Sequence, residues 1–179
     1  MKRHRPTPIG GRRRETVAAP VIHVGYAIPR RGVPSASSFR RWIGAAIVAG
    51  GLAGFAELAI HIVGARRGRD LNRRYRQVEH ATNVLAFPAD PMARDRAGLL
   101  GDIVICAPVV LREALAQRKA PRHHFAHLAV HGTLHLLGHR HDVAAQARRM
   151  ETLERVILAS LGMPDPYAPP GPTPAPPRR

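Results

Sequence analysis

The segment His131–Asp142, HGTLHLLGHRHD, constrains the fold of this chain more than any other stretch. His131 and His135 are four residues apart. On a helix they share one face, so their imidazoles can converge on one ion. Gly138 follows three residues later, and glycine accepts the left-handed backbone that ends a helix and turns the chain back. His141 can then return as a third ligand. Three neutral imidazoles are the donor set of an open zinc site, one that keeps a coordination position free. His139 competes with His141 as third ligand, but it lies too close to Gly138 for the turn, so His141 is preferred. His123, His124 and His127 stand just upstream, so a histidine-rich helix without a site is the bland alternative. A glycine at the break with a histidine beyond it favours metal binding, with one zinc ion per chain.

The rest of the chain bounds what such a site can serve. Its 179 residues suit one ordinary domain, and a hydrophobic fraction of 45% supports a packed core. The single cysteine, Cys106, excludes an intrachain disulfide and a cysteine-rich zinc module. Lys+Arg is 28 against Asp+Glu 12, a formal charge of +16, and phosphate-bearing partners are the natural expectation. Nearly all of the basic residues are arginine, which a compositional bias also explains. With aromatics at 4%, a base-stacking platform built from many Phe and Tyr is not expected.

Residues 1–19 read as a basic, disordered extension without the apolar run of a secretory signal. Residues 168–179 read as a disordered proline-rich tail, because proline blocks both helix and sheet. The folded domain is then 20–167. Trp42–Ala56 carries no charge, but it falls short of the ~20 apolar residues a membrane span needs, and three glycines interrupt it. A cytoplasmic protein with no membrane segment is expected.

Strands are predicted at Val21–Ile28, Ala56–Val63, Asn83–Phe87 and Leu99–Cys106. Helices are predicted at Ser37–Ala49, Arg66–Arg76, Leu111–Gln117, Arg122–Leu137 and Val143–Leu161. The helix at 37–49 is the clearest, with Phe39, Trp42, Ile43, Ala46 and Ile47 on one stripe. Asp142 is read as the N-cap of the last helix, and Gly162 as its stop.

His-x3-His-x2-Gly-x2-His is similar to the ligand spacing of the metzincin zinc proteases. Those enzymes carry a glutamate base directly after the first histidine. Here that position is Gly132, so a peptidase would lack its base. Three blocks, LNRRYRQVEHATNVLAFP (Leu71–Pro88), LLGDIVI (Leu99–Ile105) and HGTLHLLGHRHD, together resemble the YbeY-type endoribonuclease family, also called the rRNA maturation factor family. The resemblance spans about residues 21–167, including the ending LGMPDPY. It implies an α+β single domain, with a small mixed sheet covered by helices and a zincin-like metal-site helix. It implies His131, His135 and His141 as the metal ligands and Arg76 as the functional arginine beside them. The implied activity is single-strand-specific, zinc-dependent endoribonucleolytic cleavage in small-subunit ribosomal RNA maturation and ribosome quality control. The implied partners are ribosomal RNA and the small ribosomal subunit. The chain departs from the family's usual Gly-Tyr-Asp-His at His139 and Arg140, and it has Ala81 where a proline usually precedes the threonine.

Arg76 suits a phosphate, since a guanidinium donates charge-assisted, bidentate hydrogen bonds. RNA brings its own 2′-hydroxyl, so no protein nucleophile is obligatory. Asp142, Asp102 and His127 are each open between a role supporting the site and a structural one. Thr82 and Asn83 are open between substrate contact and a turn. Two other readings remain: a ribosome-assembly factor with a structural zinc, and a metallopeptidase.

Overall fold

A computed structural model describes residues 19–52 and 54–169. The expected extensions over 1–19 and 168–179 lie outside the described residues, apart from Ala19, Ala168 and Pro169. Four strands, β1 (Val21–Tyr26), β2 (Glu57–Val63), β3 (Val84–Pro88) and β4 (Leu99–Cys106), form one sheet in the order β1-β2-β4-β3. β1, β2 and β4 are parallel, and β3 joins β4 antiparallel. Six helices surround the sheet: α1 (Ala36–Ala49), α2 (Ala65–Arg76), α3 (Pro91–Ala97), α4 (Ala107–Ala116), α5 (Pro121–Leu136) and α6 (Ala144–Ser160). The architecture is the expected α+β domain with a small mixed sheet.

The strand sequences explain the layering. In β2, Leu58, Ile60 and Ile62 are buried under the helices, and Glu57, Ala59 and His61 face the other way. From Ile103 onward β4 is apolar on both faces. Ile103 and Ile105 enter the larger core with α1 and α5. Val104 and Cys106 enter a smaller core, which Leu71 of α2 helps to cover. The larger core centres on Phe39, Trp42 and Phe125, all fully buried, with Phe39 edge-on to both other rings. Within the uncharged stretch from Trp42 to Ala49, Trp42, Ile43, Ala46 and Ile47 are buried in this core. Among the described residues no helix is long and apolar enough to cross a bilayer.

Three local readings need correction. α4 starts at Ala107, four residues before the expected Leu111, because Pro108 sits in its first turn, where a missing N–H costs nothing. α3 was not expected at all. Asp90 caps it by accepting from Met92 N (2.9 Å), Pro91 opens it, and Gly98 closes it at φ 66°. Asp142 does not cap α6. The N-cap there is Val143, with no side-chain bond, and Asp142 sits exposed, 3.8 Å from Arg140.

Candidate metal centre

α5 carries the first two histidines, and its packing sets their direction. The helix is pressed against the sheet at Gly132, where a Cβ would meet Ile103 Cγ2 at 3.1 Å. Glycine there lets the helix approach β4 closely and turns His131 and His135 toward the cleft beside β3. The last carbonyls of α5, on Leu136 and Leu137, accept from the Arg94 guanidinium of α3 (3.2 and 3.5 Å). A cation at a helix C-terminus also offsets the helix dipole. Gly138 adopts φ 93°, as the sequence requires, and the chain turns back to bring in His141. Ring centroids stand 4.6 Å apart for His131–His135, 4.8 Å for His135–His141 and 5.6 Å for His131–His141. One nitrogen from each lies within 4.8 Å of the other two. His139 does not join them. It lines the cleft, and its backbone bonds the ring of His135.

Behind His131 lies a group that sequence reasoning missed. Glu154 of α6 is fully buried. Its Oε1 accepts from His131 Nδ1 (2.7 Å), and its Oε2 accepts from His127 Nε2 (3.3 Å) and from the Tyr167 hydroxyl. Burial alone would raise its pKa, but the three hydrogen bonds from His127, His131 and Tyr167 overcome this and hold it at about 2. Glu154 is therefore a buried carboxylate whose charge is answered by donors on both sides. A signal was present: Glu154 sits on the same stripe as Met150, Ile157 and Leu158, where an unpaired charge is not tolerated. Tyr167, from the DPY ending, is held over this group by Arg155, whose guanidinium lies 4.7 Å from the ring and also bonds Asp165.

The donor set fits a divalent cation. Because His131 Nδ1 donates to Glu154, its Nε2 is left as a bare lone pair. His135 Nε2 faces it at 3.1 Å. A proton on His135 Nε2, or a cation held between the two nitrogens, answers that lone pair. Tetrahedral zinc with Zn–N near 2.0–2.1 Å sets its nitrogens about 3.4 Å apart, close to this spacing. Burial, then the neighbouring His131 and His141, lowers the pKa of His135 to about 4, which keeps it in the neutral, ligating form. His131, His135 and His141 are the residues that can hold the ion.

The cleft around them measures about 550 Å³, and Arg76, Thr82, Asn83, Arg94, Arg140 and Asp142 are among the residues that line it. The LN-x-x-YR stretch explains how Arg76 comes to be there. Asn72 is buried and ties α2 to the following loop through Nδ2 to the His80 carbonyl (2.6 Å). Tyr75 rests edge-on against Phe87 of β3 (4.8 Å). The last residue of α2, Arg76, is thereby held at the cleft wall, exposed. Asn83 accepts from Val84 N and donates to Glu113, a strand-start role beside the cleft. Asp102 is not at the site; it pairs with His61 (3.1 Å) where β2 and β4 face away from α5.

The family model described as Endoribonuclease YbeY matches residues 34–162. A protein named Endoribonuclease YbeY from Stenotrophomonas maltophilia (strain R551-3) is 54% identical over 151 residues, 82% of this chain and 92% of that one. One of the same name from Xanthomonas oryzae pv. oryzae is 53% identical over the same shares. The solution structure of TM1509 from Thermotoga maritima shares the fold, with a TM-score of 0.52 at 16% identity, over 83% of this chain and 99% of that one. Matching both the family model and these relatives over most of its length, the chain belongs to the endoribonuclease YbeY family.

Proposed function

We propose that this chain is a single-strand-specific, zinc-dependent endoribonuclease that acts in small-subunit ribosomal RNA maturation and ribosome quality control in the cytoplasm. The observation that carries the reading is the convergence of three imidazoles in a cleft walled by arginines. His131, His135 and His141 would hold the ion, which supplies Lewis acidity toward a phosphate oxygen. Arg76 donates to the same phosphodiester and offsets charge that grows as the bond breaks. Arg94 and Arg140 add positive potential to the cleft and favour the entry of a polyanion. The 2′-hydroxyl of the RNA is the nucleophile, so the chain needs no serine or cysteine of its own. A peptidase reading lacks its base, since Gly132 stands in the glutamate's place, packed against Ile103.

The test is cleavage of a single-stranded RNA by wild type, His135→Ala and Arg76→Ala, purified side by side. Activity in wild type, loss of activity and of bound zinc in His135→Ala, and loss of activity with zinc retained in Arg76→Ala are expected. Equal cleavage by all three would assign it to a contaminant and refute the reading. Unchanged zinc content in His135→Ala would refute the ligand set.

A further inference from the structure

α2 carries Arg66, Arg69, Arg73 and Arg76 at spacings of three, four and three residues. At 100° per residue these four fall within an arc of about 80°, on the flank of the helix beside its buried Gly68 and Asn72. All four are exposed. Among the described residues none of the four makes an ion pair or a hydrogen bond through its side chain. Three other arginines are engaged in the fold: Arg40 bonds the Ile22 carbonyl, Arg94 caps α5, and Arg155 holds Asp165. Helix stability accounts for only part of the stripe. Arg73 and Arg76 stand in the last turn, where cations offset the helix dipole, but Arg66 stands in the first turn, where a cation is unfavourable and no acidic residue accompanies it. The stripe ends at Arg76, inside the metal cleft.

We infer that this stripe is a docking track for the RNA strand that flanks the scissile phosphate. The inference rests on the proposed function and extends it from the cleft to the surface outside. Arg76 serves the reacting phosphate, and Arg73, Arg69 and Arg66 hold successive phosphates leading away from it. The steps along the stripe rise about 4.5–6 Å at 1.5 Å per residue, comparable with the spacing of phosphates on a single strand. The occupant is a polyanion read through its backbone, so the track adds affinity without base preference.

The test is the salt dependence of binding to a fluorescent 2′-O-methyl oligouridylate, whose blocked 2′-hydroxyls resist cleavage. Wild type is compared with Arg66→Ala/Arg69→Ala/Arg73→Ala, which leaves Arg76 in place. Each phosphate contact on a single strand contributes about 0.7 to the slope of log K against log salt. The variant should lose about 2 from that slope and about a hundredfold in affinity at 0.1 M salt, with the two curves meeting near 1 M. Its zinc content and melting temperature should match wild type, as should its cleavage of an RNA too short to reach past Arg76. A control triple, Arg31→Ala/Arg41→Ala/Arg122→Ala, removes the same charge away from α2. An equal loss in the control would reduce the effect to net charge and overturn the track. So would an unchanged slope in the stripe variant. If wild type itself fails to bind the strand, the proposed function falls with it.

Discussion

Glu154→Gln separates the metal ligands from the group that aims one of them. The substitution keeps the shape of a side chain with no accessible surface, so the helix packing around it should hold. It removes one negative charge, and it replaces an acceptor that His127 and Tyr167 both address. The amide oxygen can still accept from His131 Nδ1, but as a neutral acceptor. A hydrogen bond to a charged group is worth about 1.5–3 kcal/mol net and a neutral one about 1. The difference, about 0.5–2 kcal/mol, brackets a tenfold change in an equilibrium constant. Only one of the three ligands is bonded to Glu154, so the effect should sit at the lower end of the 10–100-fold range for such partners. Zinc affinity should fall about tenfold in Glu154→Gln. In Tyr167→Phe, which keeps the carboxylate, it should fall less. Competition against a chelating dye measures both constants, and far-ultraviolet circular dichroism of the metal-free proteins checks the fold. Zinc bound by a folded Glu154→Gln as tightly as by wild type would refute the positioning role.

Two other outcomes follow from packing and burial. Gly132→Glu restores the residue a zinc protease carries there, yet its Cβ would press on Ile103 at 3.1 Å. We expect a loss of about 1–3 kcal/mol in stability and no peptidase activity, read by denaturant melts and a peptide screen; an unchanged melt would contradict the close approach. His124 is buried with Nε2 2.8 Å from Glu113, and burial lowers its pKa against the pull of that carboxylate. A depressed folded value means the unfolded chain takes up the proton first, so this stability is present above the ordinary value of 6.5 and is lost as pH falls through the lower folded one. The stability advantage of wild type over His124→Gln, both metal-free, should therefore shrink from about pH 8 to about pH 5. An advantage independent of pH would sink that assignment.

The metal helix, the break at Gly138 and the third histidine were legible in the chain because local rules govern them. An i, i+4 pair shares a face on any helix, and a glycine in the left-handed region ends it wherever it stands. The stripe of Phe39, Trp42, Ile43, Ala46 and Ile47 and the strand ends of β4 were legible for the same reason. α3 was written in Asp90-Pro91 and Gly98, but seven residues give too little periodicity to stand out. Asp142 was misread because capping depends on where the chain arrives from, and here it arrives from a ligand-bearing turn.

Partnerships between residues distant in sequence come from the packing of the elements. Glu154 lies 23 residues beyond His131, and only the packing of α6 on α5 makes it the acceptor for Nδ1. Arg94 reaches α5 across 42 residues from a helix that the pattern did not announce. Asp102, a reasonable partner for a histidine by position, is carried by the strand's alternation to the face away from α5. Gly132 reads in sequence as a missing base, and in the fold as the contact that lets α5 lie on β4. Local spacing sets which side chains can share a face, because helix and strand periods are properties of the backbone. Which faces meet is set by burial of the whole apolar surface, and no short window of the chain contains that sum.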